Sequence, residues 1–377
     1  MKKSINRKAF LLALTSFSGV GPKTLLKILN VCQKRGLRNS EFLANKDHIW
    51  QEMLLSEKTI DSIRNFKKEH NLLDNLSSLE ASGVQILTFE EKAYPQLLLE
   101  TEDFPPVLFV KSQLKVGSKA WQVAFAQTIS IVGTRKMTAY GQLVIRELVP
   151  PLVSAGRVVV SGFMYGVDLA AAQIALKNGG QTIAVLGFGF DHCFPSSQKK
   201  IMQEFLERGA IFLSEFAPET LAKASNFVTR NRIVAGLSKA TLVIEAAKRS
   251  GSHITANYAN DYGRIVMAVP GPITNPFSEG TKVLISQGAT LVNNASDVLK
   301  GIADDYHFQL CDSVKNEQEE TDKSKTLLEK LTFYPELTFD DLMKNNNFIE
   351  SELNQLLFDL ELQGKIIKKW GKYCLVS

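Results

Sequence analysis

The residues best placed to do chemistry sit in glycine-bearing segments. Gly133-Thr134-Arg135-Lys136 puts an arginine directly behind a glycine and a hydroxyl. Ser161-Gly162-Phe163-Met164-Tyr165-Gly166-Val167-Asp168 and Gly187-Phe188-Gly189-Phe190-Asp191 repeat the glycine signal, and Lys248-Arg249-Ser250-Gly251-Ser252 combines it with two cations. Glycine lets an anion approach the backbone N–H groups closely, and arginine adds a planar fork for phosphate oxygens. A further segment, Asn226-Phe227-Val228-Thr229-Arg230-Asn231-Arg232, places cations beside a ring. Cations with neighbouring aromatics suit single-stranded nucleic acid, where charge holds the backbone and rings stack on exposed bases.

Enzymatic signatures do not assemble around these segments. Gly187-Phe188-Gly189-Phe190-Asp191-His192 starts like a dinucleotide fingerprint but has His192 where the third glycine belongs, and neither GxxxxGK[ST] nor GxSxG occurs. His192 and Cys193 are adjacent, which points their side chains apart in an extended segment. The five histidines and four cysteines lack metal-ligand spacing, so neither a metal nor a cofactor is expected. Asp168 reads as a helix cap, Glu245 as a partner for an arginine across a crevice, and Phe163, Phe188 and Phe190 as core.

The elements that must position these groups follow from the apolar runs. TISIVG (128–133), RVVVSG (157–162), QTIAVLG (181–187), AIFLSE (210–215), ATLVIEA (240–246), RIVMAVP (264–270) and ATLV (289–292) are continuous rather than alternating. Such runs predict strands of a parallel sheet buried on both faces. Helix-length segments such as Tyr140–Ala155, Val167–Lys177 and Ser197–Arg208 separate them. The prediction is a doubly wound, Rossmann-like α/β domain over residues 85–300, with the glycine segments at the carboxyl ends of its strands, where ligands of open parallel sheets collect.

Residues 1–80 read as a helical domain. Its first 40 residues hold nine basic residues and no acidic one, and Gly19-Val20-Gly21-Pro22-Lys23 separates two apolar-periodic runs. That junction fits a helix-hairpin-helix whose turn meets a DNA phosphate, with Lys23 and Lys27 adding charge, and it fits a plain helical hairpin equally. Residues 301–322 form an acidic, self-repelling linker. Residues 323–377 read as three helices and a β-hairpin, in the order of a winged helix. The third helix carries Glu350, Glu352, Asp359 and Glu361 without a basic residue, which suits a protein contact better than a phosphate backbone. Net charge is +5 and 45% of residues are hydrophobic, the balance of a globular protein, and no apolar run approaches the ~18 residues of a membrane span. The basic, apolar N-terminus lacks a signal cleavage site, and the scattered cysteines fit a reducing cytoplasm.

The segments GTRKMTAYG (133–141), SGFMYGVDLAAAQIALKNGGQTIAVLGFGFDHCFP (161–195), LSEF (213–216) and NFVTRNRIVAGLS (226–238) together resemble the DprA/Smf family, the DNA-processing A proteins of bacterial transformation. VIEAAKRSGSHITANYA (243–259), AVPGPITNPFSEG (268–280) and ISQGATLV (285–292) continue the match in order. The resemblance implies a cytoplasmic, non-catalytic protein that binds and protects single-stranded DNA, dimerises through its sheet domain around Lys282–Ile285 and Ala289–Val292, and loads the RecA recombinase. It also places Arg135 at the family's Gly-Ser/Thr-Arg arginine, Phe227 in its Asn-Phe-x-x-Arg-Asn-Arg motif, and Lys199 near a basic position. The DNA-contacting candidates are then Gly133, Thr134, Arg135, Ser161, Gly162, Gly187, Gly189, Lys199, Asn226, Phe227, Arg230, Asn231, Arg232, Lys248, Arg249, Ser250, Gly251 and Ser252. Gly19, Gly21, Lys23 and Lys27 form a second set. Two departures concern the pocket: Met164 and Tyr165 stand where the family has small residues, and Phe194-Pro195-Ser196-Ser197-Gln198 replaces Tyr-Pro-x-x-Asn. The alternative is a nucleotide-binding or nucleotide-hydrolysing enzyme of a related glycine-rich fold, using Glu245 with Arg135.

Overall fold

The computed structural model describes residues 6–310 apart from 18, 45–49, 52, 70–78 and 80, and then 327–328, 330–332, 336–344, 353, 357, 360–361, 365–369 and 372–375. Four helices open the chain: α1 (Arg7–Ser16), α2 (Pro22–Lys34), α3 (Asn39–Ala44) and α4 (Glu57–Glu69). Pro22 at the first position of α2 supplies a pre-set φ where its missing N–H costs nothing. Then come β1 (Gln85–Thr88), α5 (Gln96–Leu99), β2 (Val107–Lys111), α6 (Lys119–Ala126), β3 (Thr128–Val132), α7 (Ala139–Ser154), β4 (Val158–Ser161) and α8 (Val167–Lys177). They are followed by β5 (Thr182–Leu186), α9 (Lys199–Glu207), β6 (Ile211–Ser214), α10 (Ala224–Gly236), β7 (Ala240–Val243), α11 (Gly251–Asp261), β8 (Ile265–Ala268), α12 (Glu279–Ser286), β9 (Thr290–Leu291) and α13 (Ala295–Leu310).

The nine strands form one sheet in the order β1-β2-β6-β5-β4-β3-β7-β8-β9. From β6 to β9 every pairing is parallel, and all residues of β3 through β7 are buried, as strands covered on both faces must be. The seven predicted strands are all present. The sheet also has an antiparallel extension that the apolar runs did not disclose, with β1 on β2 and β2 on β6. β3 lies between β4 and β7, so the strand order reverses there and opens a crevice beyond the carboxyl ends of these three strands.

The N-terminal helices and the sheet share apolar packing. Phe10, Leu14 and Leu25 belong to the same buried cluster as Ile86, Phe109 and Phe163, and α1 is fastened by Arg7 to Glu90 at 2.6 Å and by Lys8 Nζ to the Ile86 carbonyl at 2.7 Å. These elements lie in one compact unit that ends at Phe308. Helix α13 runs to Leu310, so the first ten residues read as linker are helical, because apolar positions such as Val298 and Ile302 bury that helix. Residues 311–322 of the acidic stretch lie outside the described residues.

In the second unit, Gln309–Ser377, β10 (Leu337–Thr338), β11 (Ile366–Lys369) and β12 (Lys372–Leu375) form a sheet in the order β10-β12-β11, and α14 (Phe339–Lys344) follows β10. The predicted hairpin is β11–β12, with Lys369 opposite Lys372. Of the predicted helix 348–362, Leu353, Leu357 and Leu360 are helical and buried, whereas Glu350, Glu352 and Asp359 lie outside the described residues. No helix among the described residues is long and apolar enough to cross a membrane.

Candidate nucleic-acid interface

A cavity of about 500 Å³ opens at the crevice beyond β3, β4 and β7. Its wall includes Gly133, Thr134 and Arg135 after β3, Gly162 and Met164 after β4, Phe227, Arg230 and Asn231 on α10, and Arg249 through Ser252 at the start of α11. The segments from four distant parts of the sequence therefore meet at one site.

The turn after β4 is shaped by backbone constraints. Phe163 has φ +54°, a left-handed conformation uncommon for a bulky residue, and its ring is fully buried against Phe205 and Phe212 at 5.6 and 5.1 Å between centroids. Gly166 has φ +82°, and a Cβ there would run into the Thr134 carbonyl, so the turns after β3 and β4 touch only because this residue is glycine. Val167 N donates to that same carbonyl at 3.2 Å.

Beneath the cavity lies a buried charge pair. Arg230 donates to the carbonyls of Gly162, at 2.5 Å, and Val185. Asp168 accepts from the Gly162 amide at 2.9 Å. Burial pushes the Asp168 carboxyl up to about 6, against the pull of Arg230 and of the Gly162 amide. Burial likewise lowers Arg230 to about 10, opposed by Asp168, so the guanidinium stays charged at neutral pH. Asp168 occupies the second position of α8, whose cap is Gly166, so the expected capping role is replaced by a clasp on the preceding turn.

Above this pair the ring of Phe227 lies edge-on to Phe188, with Phe194 also against it, at centroid distances of 6.4 and 5.6 Å. A Cβ at Gly187 would stand 2.8 Å from a Phe227 ring carbon, so glycine there makes room for the ring. Arg135 is exposed, its guanidinium 5.7 Å from the Phe227 centroid, and no carboxylate among the described residues pairs with it. The Ser250 hydroxyl caps α11 by accepting from Ser252 N, leaving the amides of that helix start at the cavity wall with their partial positive charge.

Several candidates fall elsewhere. Arg232 is buried and paired with Glu215 and Asp103, away from the cavity wall. Glu245 meets no arginine; its carboxylate accepts from Thr138 N at 2.9 Å and Thr138 Oγ1 at 2.6 Å and so fixes the start of α7. Ser161 and Gly189 are buried behind the wall, and a Cβ at Gly189 would strike the carbonyls of Ala217 and Pro218. Lys199, Asn226 and Lys248 do not line the cavity either. In the second set, Gly19 packs toward Thr59, Gly21 has open space beside it, and Lys23 reaches Glu102 at 3.3 Å. Phe163, Phe188 and Phe190 are core, as their apolar setting suggested. Sequence reasoning missed Lys223, an exposed cation at the cavity lip just before α10, because nothing in the stretch from Ala217 marks it. The two departures from the family pattern meet in space, since the Tyr165 hydroxyl and Ser197 Oγ are 2.5 Å apart. Among the described residues no group of His, Cys, Asp and Glu is arranged to hold a metal ion.

The chain is similar to known proteins over most of its length. Residues 85–303 match the family model of DNA recombination-mediator protein A. Protein Smf of Escherichia coli is 33% identical over 364 residues, covering 92% of this chain and 94% of its own. DNA processing protein DprA of Streptococcus pneumoniae is 34% identical over 275 residues, covering 71% of this chain and 94% of its own. A crystal structure of S. pneumoniae DprA superposes with TM-score 0.67 at 29% identity, over 79% of this chain and 98% of that one. A Helicobacter pylori DNA processing protein A, described for its mode of binding single-stranded DNA, gives TM-score 0.50 at 28% identity over 59% and 98%. With its sheet domain matched by the family model and a relative similar over nearly the full length of both chains, the chain belongs to the DNA recombination-mediator protein A family, the DprA/Smf proteins.

Proposed function

We propose that this protein is a non-catalytic single-stranded DNA-binding protein that holds the strand in the crevice beyond β3, β4 and β7. The observation that carries the proposal is Arg135: an exposed guanidinium, paired with no carboxylate among the described residues, next to an aromatic ring and a capped helix start. A phosphate there would gain charge-assisted hydrogen bonds, and a base could lie toward Phe227. Asp168 in the cavity wall is engaged by the Gly162 amide and Glu245 after β7 by Thr138, which supports binding over hydrolysis of a nucleotide. The H. pylori relative's binding of single-stranded DNA points the same way.

The wider role is protection of incoming DNA and its delivery to RecA during natural transformation, a part of the proposal that rests on family membership. A homodimer through the sheet domain is supported by Val283 and Leu291, apolar side chains exposed at the β9 end of the sheet. The free thiols of Cys32, Cys193 and Cys374 are consistent with a reducing cytoplasm. The helical N-terminus is proposed as an auxiliary phosphate contact and the C-terminal unit as a winged-helix-like protein-contact module.

The test is a titration of wild-type and Arg135→Ala protein against labelled single-stranded and duplex oligonucleotides at two salt concentrations. The expected result is single-strand preference, steep salt dependence and weakened binding in the variant. Equal affinity for duplex of the same length overturns the proposal.

A further inference from the structure

A second and larger cavity, about 890 Å³, lies beside the first, between α7 and α8. Arg135 lines both, and Gly166 stands at the rim of the second where the turns after β3 and β4 touch. The wall of this groove carries Lys136, Arg146 and Lys177 in addition to Arg135, with the amides of Gln142 and Gln173 between them and no aspartate or glutamate. Lys136, Arg146 and Lys177 are exposed, and none is paired with a carboxylate among the described residues. Five other arginines of this unit, Arg7, Arg38, Arg64, Arg232 and Arg264, are by contrast each spent on a carboxylate.

The pattern follows from helical periodicity. Gln142, Arg146 and Pro150 recur every fourth residue on α7, and Gln173 and Lys177 do the same on α8, so each set forms one stripe facing the groove. Grouping like charges on facing stripes without counter-charges is unfavourable for the free protein, and an anionic occupant relieves it. From Gln142 to Pro150 the stripe runs roughly 12 Å at ~1.5 Å per residue. That length spans a few phosphates of a DNA strand.

We propose that this groove is a second subsite, which takes the phosphodiester backbone of the strand as it leaves the first cavity past Arg135. The inference rests on the single-strand reading of the first cavity. The groove recognises charge spacing more than base identity, since its wall is made chiefly of cations, amides and aliphatic side chains such as Leu169 and Ile174, and the hydroxyl of its aromatic residue, Tyr165, is engaged with Ser197.

The test uses the double variant Arg146→Gln/Lys177→Gln with fluorescence anisotropy on oligothymidylates of about four and about twenty nucleotides. Lys115→Gln/Lys119→Gln, two exposed lysines lining neither cavity, is the charge-matched control. The expected result is roughly tenfold weaker binding of the long strand, with a log–log salt slope reduced by about one to one and a half, and no change for the short strand. The control pair should leave both affinities unchanged. Equal binding of the long strand by wild type and the double variant overturns the subsite while leaving the first cavity's role intact. An equal loss for short and long strands also overturns it, since the groove would then act on the first cavity. A loss of affinity for polyglutamate with none for the long strand would assign the groove to an acidic protein segment instead. Failure of the wild type to bind either strand refutes the underlying single-strand reading, not the groove alone.

Discussion

The guanidinium of Arg230 donates to the carbonyl oxygen of Gly162 at 2.5 Å, joining the middle of α10 to the turn after β4 across 68 residues. The Gly162 amide, in turn, donates to Asp168, so the two backbone groups of one residue are held by opposite charges. Arg230 is 2% exposed and Arg135 is exposed, so two arginines beside one aromatic ring have different duties. One braces the floor of the cavity and the other is available to a ligand.

Arg230→Gln should therefore act chiefly on stability. Removing the cation leaves the Asp168 carboxyl buried without its partner, a change that costs about 3–5 kcal/mol. Urea denaturation should show a midpoint well below wild type. Adding Asp168→Asn should recover part of the loss, because the two side chains share one network. A normal midpoint in Arg230→Gln would contradict the bracing role.

Arg135→Ala should do the reverse. Affinity for single-stranded DNA should fall by about 1–3 kcal/mol, the range of a charge-assisted hydrogen bond, measured by anisotropy at low salt. Its denaturation midpoint should stay within about 0.5 kcal/mol of wild type, as for exposed substitutions that break no pairing.

Phe227→Leu separates packing from stacking. The ring is 9% exposed, wedged over Gly187 and beside Phe188, so part of its role is core packing. Leucine keeps much of the apolar volume and removes the π-face. Expected are a folded protein with a modestly lowered melting temperature and single-strand binding weaker by ~1–3 kcal/mol. Unchanged affinity in a folded variant would confine Phe227 to the core.

Acidity should tune both stability and binding through Asp168. Its carboxyl titrates near 3.8 without the fold and at about 6 within it, so the native state holds this proton more tightly. The stability linked to the group is fully present below about pH 3.8 and is lost as pH rises through about 6. Protonation also removes a negative charge from beneath the cavity, so affinity for single-stranded DNA should rise several-fold as pH falls through about 6. Asp168→Asn should flatten that rise; an identical pH profile in the variant would exclude Asp168 as its source.

The parallel part of the sheet was legible because strands covered on both faces exclude charge and are rich in Val, Ile and Leu, and the six strands from 128–132 to 265–268 hold no charged residue. The antiparallel strands β1 and β2 were not, since β1 has only Ile86 and Leu87 as apolar residues and β2, a short run directly after Pro105 and Pro106, carries no mark of its partner. At the site, residue types were readable and their directions were not. Phe227, Arg230, Asn231 and Val234 recur at spacings of three, four and seven on α10 and share the cavity face. Arg232, two residues from Arg230, is turned by about 200° on a helix and lands on Glu215. Asp168 was read as a cap for another reason: its clasp on Gly162 depends on the left-handed backbone of Phe163, which no propensity for a phenylalanine anticipates.

The position of β3 between β4 and β7 has a consequence for synthesis on the ribosome. Strands β4, β5 and β6 can zip together as they emerge, whereas one side of β3 stays open until β7 arrives; Thr128 in β3 bonds the Leu237 carbonyl 109 residues later. Until then the open edge of a strand that is wholly buried in the finished fold is exposed to any passing chain. The helix start at Ser250–Ser252 comes later still, so a nascent or prematurely ended chain has a sticky edge before it has a place for DNA. Shortened versions ending before α11 should accumulate as aggregates rather than as weak binders.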